Sequence, residues 1–236
     1  MLETFFLKIW VNLLNRLCTS SIMDRSFSRA IPINPGYGSA GFSKTEIKHI
    51  AVSCLVLSLA FTIIFGRNIG FFSTNVILNT VCWFLVSVLL ITFSFLLHEL
   101  GHKFVAQKYG AWAEFRSYPF GLVMALVFSL FGFLFAAPGA VYINGRITEK
   151  QNGLISVAGP LTNMILGAIF IAISLVVSNT LISVILYLFA YINVFLALFN
   201  LIPIPPLDGQ KILAWNVPVY IIMIACAVLM FVYVWI

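Results

Sequence analysis

Charge is what this sequence has least of. Of its 236 residues only 8% are charged, and it holds seven acids and three histidines. An ordinary soluble domain has about 25% charged and about 45–50% apolar residues. Here 62% are hydrophobic, which excludes a water-exposed surface of the usual kind. Cysteine is sparse as well: Cys18, Cys54, Cys82 and Cys226 form no C-x-x-C pair, and three of them sit in apolar runs as small hydrophobes. The net charge of +6 comes from Lys and Arg scattered between apolar runs, with no continuous basic stripe, so nucleic acid is not an expected partner.

What is present is apolar length. A membrane-spanning helix needs about 20 mostly apolar residues, and runs such as 76–97, 154–177 and 181–202 reach it. The expectation is an all-α polytopic membrane protein, a bundle of about five transmembrane helices near 47–65, 74–97 (continuing to about 109), 154–177, 181–202 and 217–235. Residues 1–17 place Leu2, Phe5, Phe6, Ile9, Leu13, Leu14 and Leu17 at helical spacing, interrupted by Lys8 and Arg16, which reads as an amphipathic interfacial helix. A signal peptide fits less well, because charges fall inside its apolar stretch. Residues 18–46 read as a polar linker and 47–236 as the transmembrane domain.

The stretch 119–139 is apolar but bracketed by Pro119, Gly121, Gly132, Pro138 and Gly139. If it enters and returns, Lys44, Lys48, Lys103, Lys108, Arg116, Arg146, Lys150 and Lys211 share one side and Arg67 stands alone on the other. Cytoplasmic loops carry the basic excess, so a re-entrant segment and a cytoplasmic N-terminus are expected. After it, Asn144-Gly145 between β-prone flanks signals a small β-hairpin in 140–148.

The chemistry centres on LLHELGH, residues 96–102. His98 and His102, four apart, stack on one helical face with Cβ atoms about 5–6 Å apart and can ligate one zinc ion. Glu99 stands next round the helix, as the general base does in the H-E-x-x-H pattern. Ionisable groups in a membrane helix cost at least ~2.5–3.5 kcal/mol each and mark function. A third ligand is required, and Asp208 is the acid beside a membrane segment in a shaped setting, NLIPIPPLDG at 200–209.

HELGH followed by N-x-x-P-x-x-x-x-D-G, here Asn200, Pro203, Asp208 and Gly209, resembles the paired signature of the site-2 proteases, intramembrane metalloproteases; AGPLTN at 158–163 resembles the start of their third core helix. The resemblance covers roughly 75–210. It implies one zinc per chain held by His98, His102 and Asp208, water activation by Glu99, a substrate-positioning role for Asn200 and transmembrane protein substrates; the basic-residue placement puts the site towards the cytoplasmic side. Two other readings stay open: a zincin with Glu149 as third ligand, and a non-proteolytic membrane protein that binds helices or carries metal. Asn163 and Asn193, inside apolar helices, read as interhelical hydrogen-bonding groups, and His49 reads as an interfacial residue.

Overall fold

The computed structural model describes residues 41–67, 71–134 and 136–236. The expected interfacial helix at 1–17 and most of the linker lie outside them. Eight α-helices and two strands follow in order: α1 (Lys44–Phe65), α2 (Val76–Ile91), α3 (Leu97–Lys108), β1 (Trp112–Ser117), α4 (Pro119–Leu130), β2 (Gly139–Asn144), α5 (Glu149–Val176), α6 (Thr180–Asn200), α7 (Asp208–Trp215) and α8 (Val217–Trp235). A π-helical turn, Thr92–Leu96, joins α2 to α3 without a break. Among the described residues, five helices, counting α2 to α3 as one, are long and apolar enough to cross a membrane. The chain is a helical multi-pass membrane protein with a small two-stranded sheet.

Its residues are distributed inside out relative to a soluble bundle. On α2, Asn79, Trp83 and Ser87 are buried while Ile77, Val81 and Leu85 are exposed. Packing between helices in lipid gains nothing from hiding leucine, so polar and small residues turn inward. Helix starts follow capping chemistry more than apolar length. Ser43 caps α1, so it begins at Lys44, ahead of the expected 47. A capping box of Thr148 and Gln151 starts α5 at Glu149, five residues before the apolar run.

The segment between β1 and β2 leaves and comes back to one place. Tyr118 N–H donates to the Pro138 carbonyl, and Ser117 pairs with Gly139. The helical limb α4 and the returning limb pack so tightly that a Cβ at Gly121 would sit 2.0 Å from the Ala137 oxygen. Arg67, beyond the end of α1, donates to the carbonyls of Ser129 and Leu130 at the far end of α4. The two ends of 119–139 therefore meet, as the re-entrant reading requires.

The sheet differs from expectation in its partner. β2 pairs antiparallel with β1, in the register Phe115 opposite Val141, and not with residues 146–148 across the Asn144-Gly145 turn. The hairpin expected within 140–148 is not formed. Asn-Gly ends the strand, but β1 is already beside it because the re-entrant segment closes there.

The outer edge of β1 is blocked by side chains of α1. Phe115 N–H donates to Glu46 Oε1 at 3.0 Å, and Ser117 N–H donates to His49 Nδ1 at 3.1 Å. Glu46 also pairs with Lys103 of α3, both fully buried, and the Lys103 ammonium lies 3.8 Å from the Phe42 ring centroid. This buried ion pair ties the sheet to α1 and α3.

Candidate metal centre

Three donor atoms from two distant parts of the chain converge. His98 Nε2 and His102 Nε2 are 3.1 Å apart, and Asp208 Oδ2 lies 3.4 Å from the first and 3.1 Å from the second. All three residues are buried. Zinc with ligand bonds of about 2.0–2.1 Å in a tetrahedron sets neighbouring ligand atoms about 3.3 Å apart, so the triangle has the edge length such an ion needs. Among the described residues, no other group of three His, Cys, Asp or Glu side chains could hold a metal. Glu149 is exposed at the start of α5 and is outside this group.

Local folding delivers each donor atom. The π-helical turn lets α2 run straight into α3, putting the HELGH residues at the end of a 33-residue helix. After α6, the prolines of 203–206 prevent helix, and the chain turns so that α7 begins at Asp208. A carboxylate in the first turn of a helix is favoured by the dipole. Lys211, one turn on, has its ammonium 3.8 Å from Oδ1.

Helix α5 forms the floor. A Cβ on Gly159 would stand 2.3 Å from His102 Nε2 and 2.6 Å from His98 Nε2, so only a glycine leaves both nitrogens free. The same helix orients both rings: His102 Nδ1 lies 2.7 Å from the Ile155 carbonyl, and His98 Nδ1 hydrogen-bonds Asn163 Oδ1. A carbonyl only accepts, so His102 carries its proton on Nδ1 and presents the other nitrogen to the site. Two imidazole nitrogens and a carboxylate oxygen facing one point call for positive charge among them, and the donor set suits zinc.

Glu99 follows His98 on α3 and lies near the Val141 N–H of β2. Phe115 and Val141 face each other across the sheet, and Phe115 N–H points outward to Glu46. They are therefore a non-hydrogen-bonded pair, and both strands present their outer groups there. Asn200 is half-buried at the end of α6, with its amide donating to the Leu196 carbonyl at 2.9 Å, one turn back.

The sequence assigned Asn163 and Asn193 to interhelical bonding, and they do bond each other. It did not connect Asn163 with His98, nor Gly159 with either ring. The available signal was their spacing: Gly159 and Asn163 are four apart on one face, like the histidines they meet.

The model of peptidase family M50 matches residues 176–219, which include Asn200 and Asp208. The chain is 41% identical over 178 residues to "Putative zinc metalloprotease MJ0611" of Methanocaldococcus jannaschii, covering 74% of this chain and 86% of that protein. It is 34% identical to "Putative zinc metalloprotease YwhC" of Bacillus subtilis, over 56% of this chain and 68% of that one. "Zinc metalloprotease MJ0392" of M. jannaschii is 32% identical over 57% of this chain and 35% of its own length. No solved structure matches. The chain belongs to peptidase family M50, which bears out the resemblance to the site-2 proteases.

Proposed function

We propose that this protein is a zinc-dependent intramembrane endopeptidase that cuts other membrane proteins in or next to their transmembrane segments. The observation that carries the reading is the convergence of His98, His102 and Asp208 at tetrahedral spacing beside Glu99. Those three residues would hold zinc. The ion supplies Lewis acidity, polarising a carbonyl and bringing the pKa of water towards about 7. Glu99 takes the proton of the attacking water and passes it to the leaving amine as the peptide bond breaks. Asn200 is the substrate-positioning group, and to reach a peptide it gives up its bond to Leu196.

The sheet supports a way of presenting the substrate. A helical substrate keeps its carbonyls hydrogen-bonded and shielded, so it has to be opened before cleavage. With β1 covered by Glu46 and His49, the outer edge of β2 is the one a new strand would pair with, and its Val141 N–H lies near Glu99. An extended segment pairing along β2 would bring its scissile carbonyl to the base. The basic residues of α1, α3, β1 and α7 favour a cytoplasmic position for this end of the bundle.

Purified protein in detergent, given zinc and a model transmembrane substrate, tests the reading. Wild type is expected to bind one zinc and cleave. Glu99→Gln is expected to keep the metal and lose cleavage by about 10²–10⁴-fold, the weight of a general base. Retained turnover refutes the role of Glu99. Zinc flux into liposomes without cleavage points to a metal carrier instead.

A further inference from the structure

The two histidines are oriented by unlike partners. His102 leans on the backbone carbonyl of Ile155, which α5 fixes in place. His98 leans on a side-chain amide, that of Asn163, and an amide can present either its oxygen or its nitrogen. Which end it presents decides which ring nitrogen of His98 carries the proton.

The surroundings of Asn163 remove that freedom. Its Nδ2 donates to the Ser94 carbonyl at 3.1 Å and to Asn193 Oδ1 at 2.8 Å. Ser94 O is an acceptor under all conditions, so the atom facing it must be the nitrogen. The Asn193 end is fixed in the same manner, because its own Nδ2 donates to the Phe189 carbonyl at 2.9 Å. Both asparagines are fully buried. Ser94 lies in the π-helical turn just before the HELGH residues, and turns of this type occur often at functional sites. Asn163 Oδ1 is therefore left facing His98, which must donate from Nδ1 and offer Nε2.

We propose that Asn163 is a positioning residue of the metal centre: braced by Ser94 and Asn193, it holds His98 in the orientation that aims Nε2 at the point shared with His102 and Asp208. This rests on the metal reading above and adds a division of labour between the asparagines. Asn163 sets the ligand, the Ser94 carbonyl fixes which end of Asn163 faces it, and Asn193 is a second brace.

The test compares zinc affinity, by chelator competition on the full chain in detergent, for wild type and three variants. Asn163→Leu keeps the volume and removes the acceptor; it is expected to weaken zinc by about 10–100-fold, as loss of such outer partners does. Asn163→Asp, entering this buried site as the neutral acid, keeps an oxygen facing Nδ1 and an O–H to donate to the Ser94 carbonyl, and is expected to bind at least about tenfold more tightly than Asn163→Leu. Asn193→Leu cuts the same interhelical bond but leaves Asn163 held by Ser94, and is expected to lose less than about threefold.

Equal loss in Asn163→Leu and Asn193→Leu would reduce Asn163 to helix packing and overturn the proposal. If Asn163→Leu does not fold, ¹⁵N-histidine spectra of zinc-loaded wild type decide, since the chain holds three histidine rings. A proton on Nδ1 of His98 supports the proposal; a proton on Nε2 ends it. Wild type that takes up no zinc defeats the metal reading itself, whereas zinc uptake unaffected by Asn163→Leu defeats this inference alone.

Discussion

His102 and Lys103 are neighbours on α3, both buried, and they belong to opposite kinds of site. Lys103 turns to Glu46, whose second oxygen takes the Phe115 N–H, and the cluster is complete within the protein. His102 turns to His98 and Asp208, where three acceptor atoms meet and charge balance has to come from outside. One helix face thus closes the structure, and the adjoining face leaves a place for an ion. Buried charge alone does not mark a reactive site. The difference lies in whether the partners satisfy one another.

The largest expected break is on the open side. Asp208→Ala should abolish stoichiometric zinc binding, measured by metal analysis after desalting, with cleavage lost along with it. On the closed side, Lys103→Met strands the Glu46 carboxylate in the interior and should cost about 3–5 kcal/mol of stability, read as a lower melting temperature in detergent. Adding Glu46→Gln removes that charge and keeps an oxygen for Phe115 N–H. The double variant should recover most of the loss and bind zinc as wild type does. If the single variant melts normally, the ion pair is not what holds the sheet to the helices.

Ile143→Pro probes the space between the two sites. Ile143 pairs with Ala113 two residues along from Val141, so its N–H points to the outer edge of β2. Proline there spares the bonds to β1, and cleavage of a helical substrate should fall by about 5- to 13-fold, the weight of one lost main-chain bond of about 1–1.5 kcal/mol. Normal cleavage by the folded variant would rule out strand pairing. The smallest effect is expected at Glu149→Ala: exposed and outside the ligand group, it should leave zinc stoichiometry unchanged, whereas loss of zinc would revive it as third ligand.

Much of the framework was legible early. The five long apolar helices and the return of 119–139 follow from length, proline and glycine placement and basic residues; Asp208 as the partner of HELGH is what the resemblance to the site-2 proteases implies, with Glu149 as the alternative. Boundaries were less so at α5, where the capping box at Thr148 begins the helix before its apolar run. The strand partner was misplaced because Asn144-Gly145 has the local chemistry of a hairpin, and a local pattern carries no knowledge of a strand thirty residues earlier.

By itself, the sequence determined that this chain lives in a bilayer and which side chains can bind a metal, because apolar length and residue chemistry are local properties. Only the tertiary structure decided which carboxylate joins the histidines, that Gly159 leaves them room, and that Asn163 turns its oxygen to His98. These depend on distances between segments far apart in the chain, and such distances are set by packing.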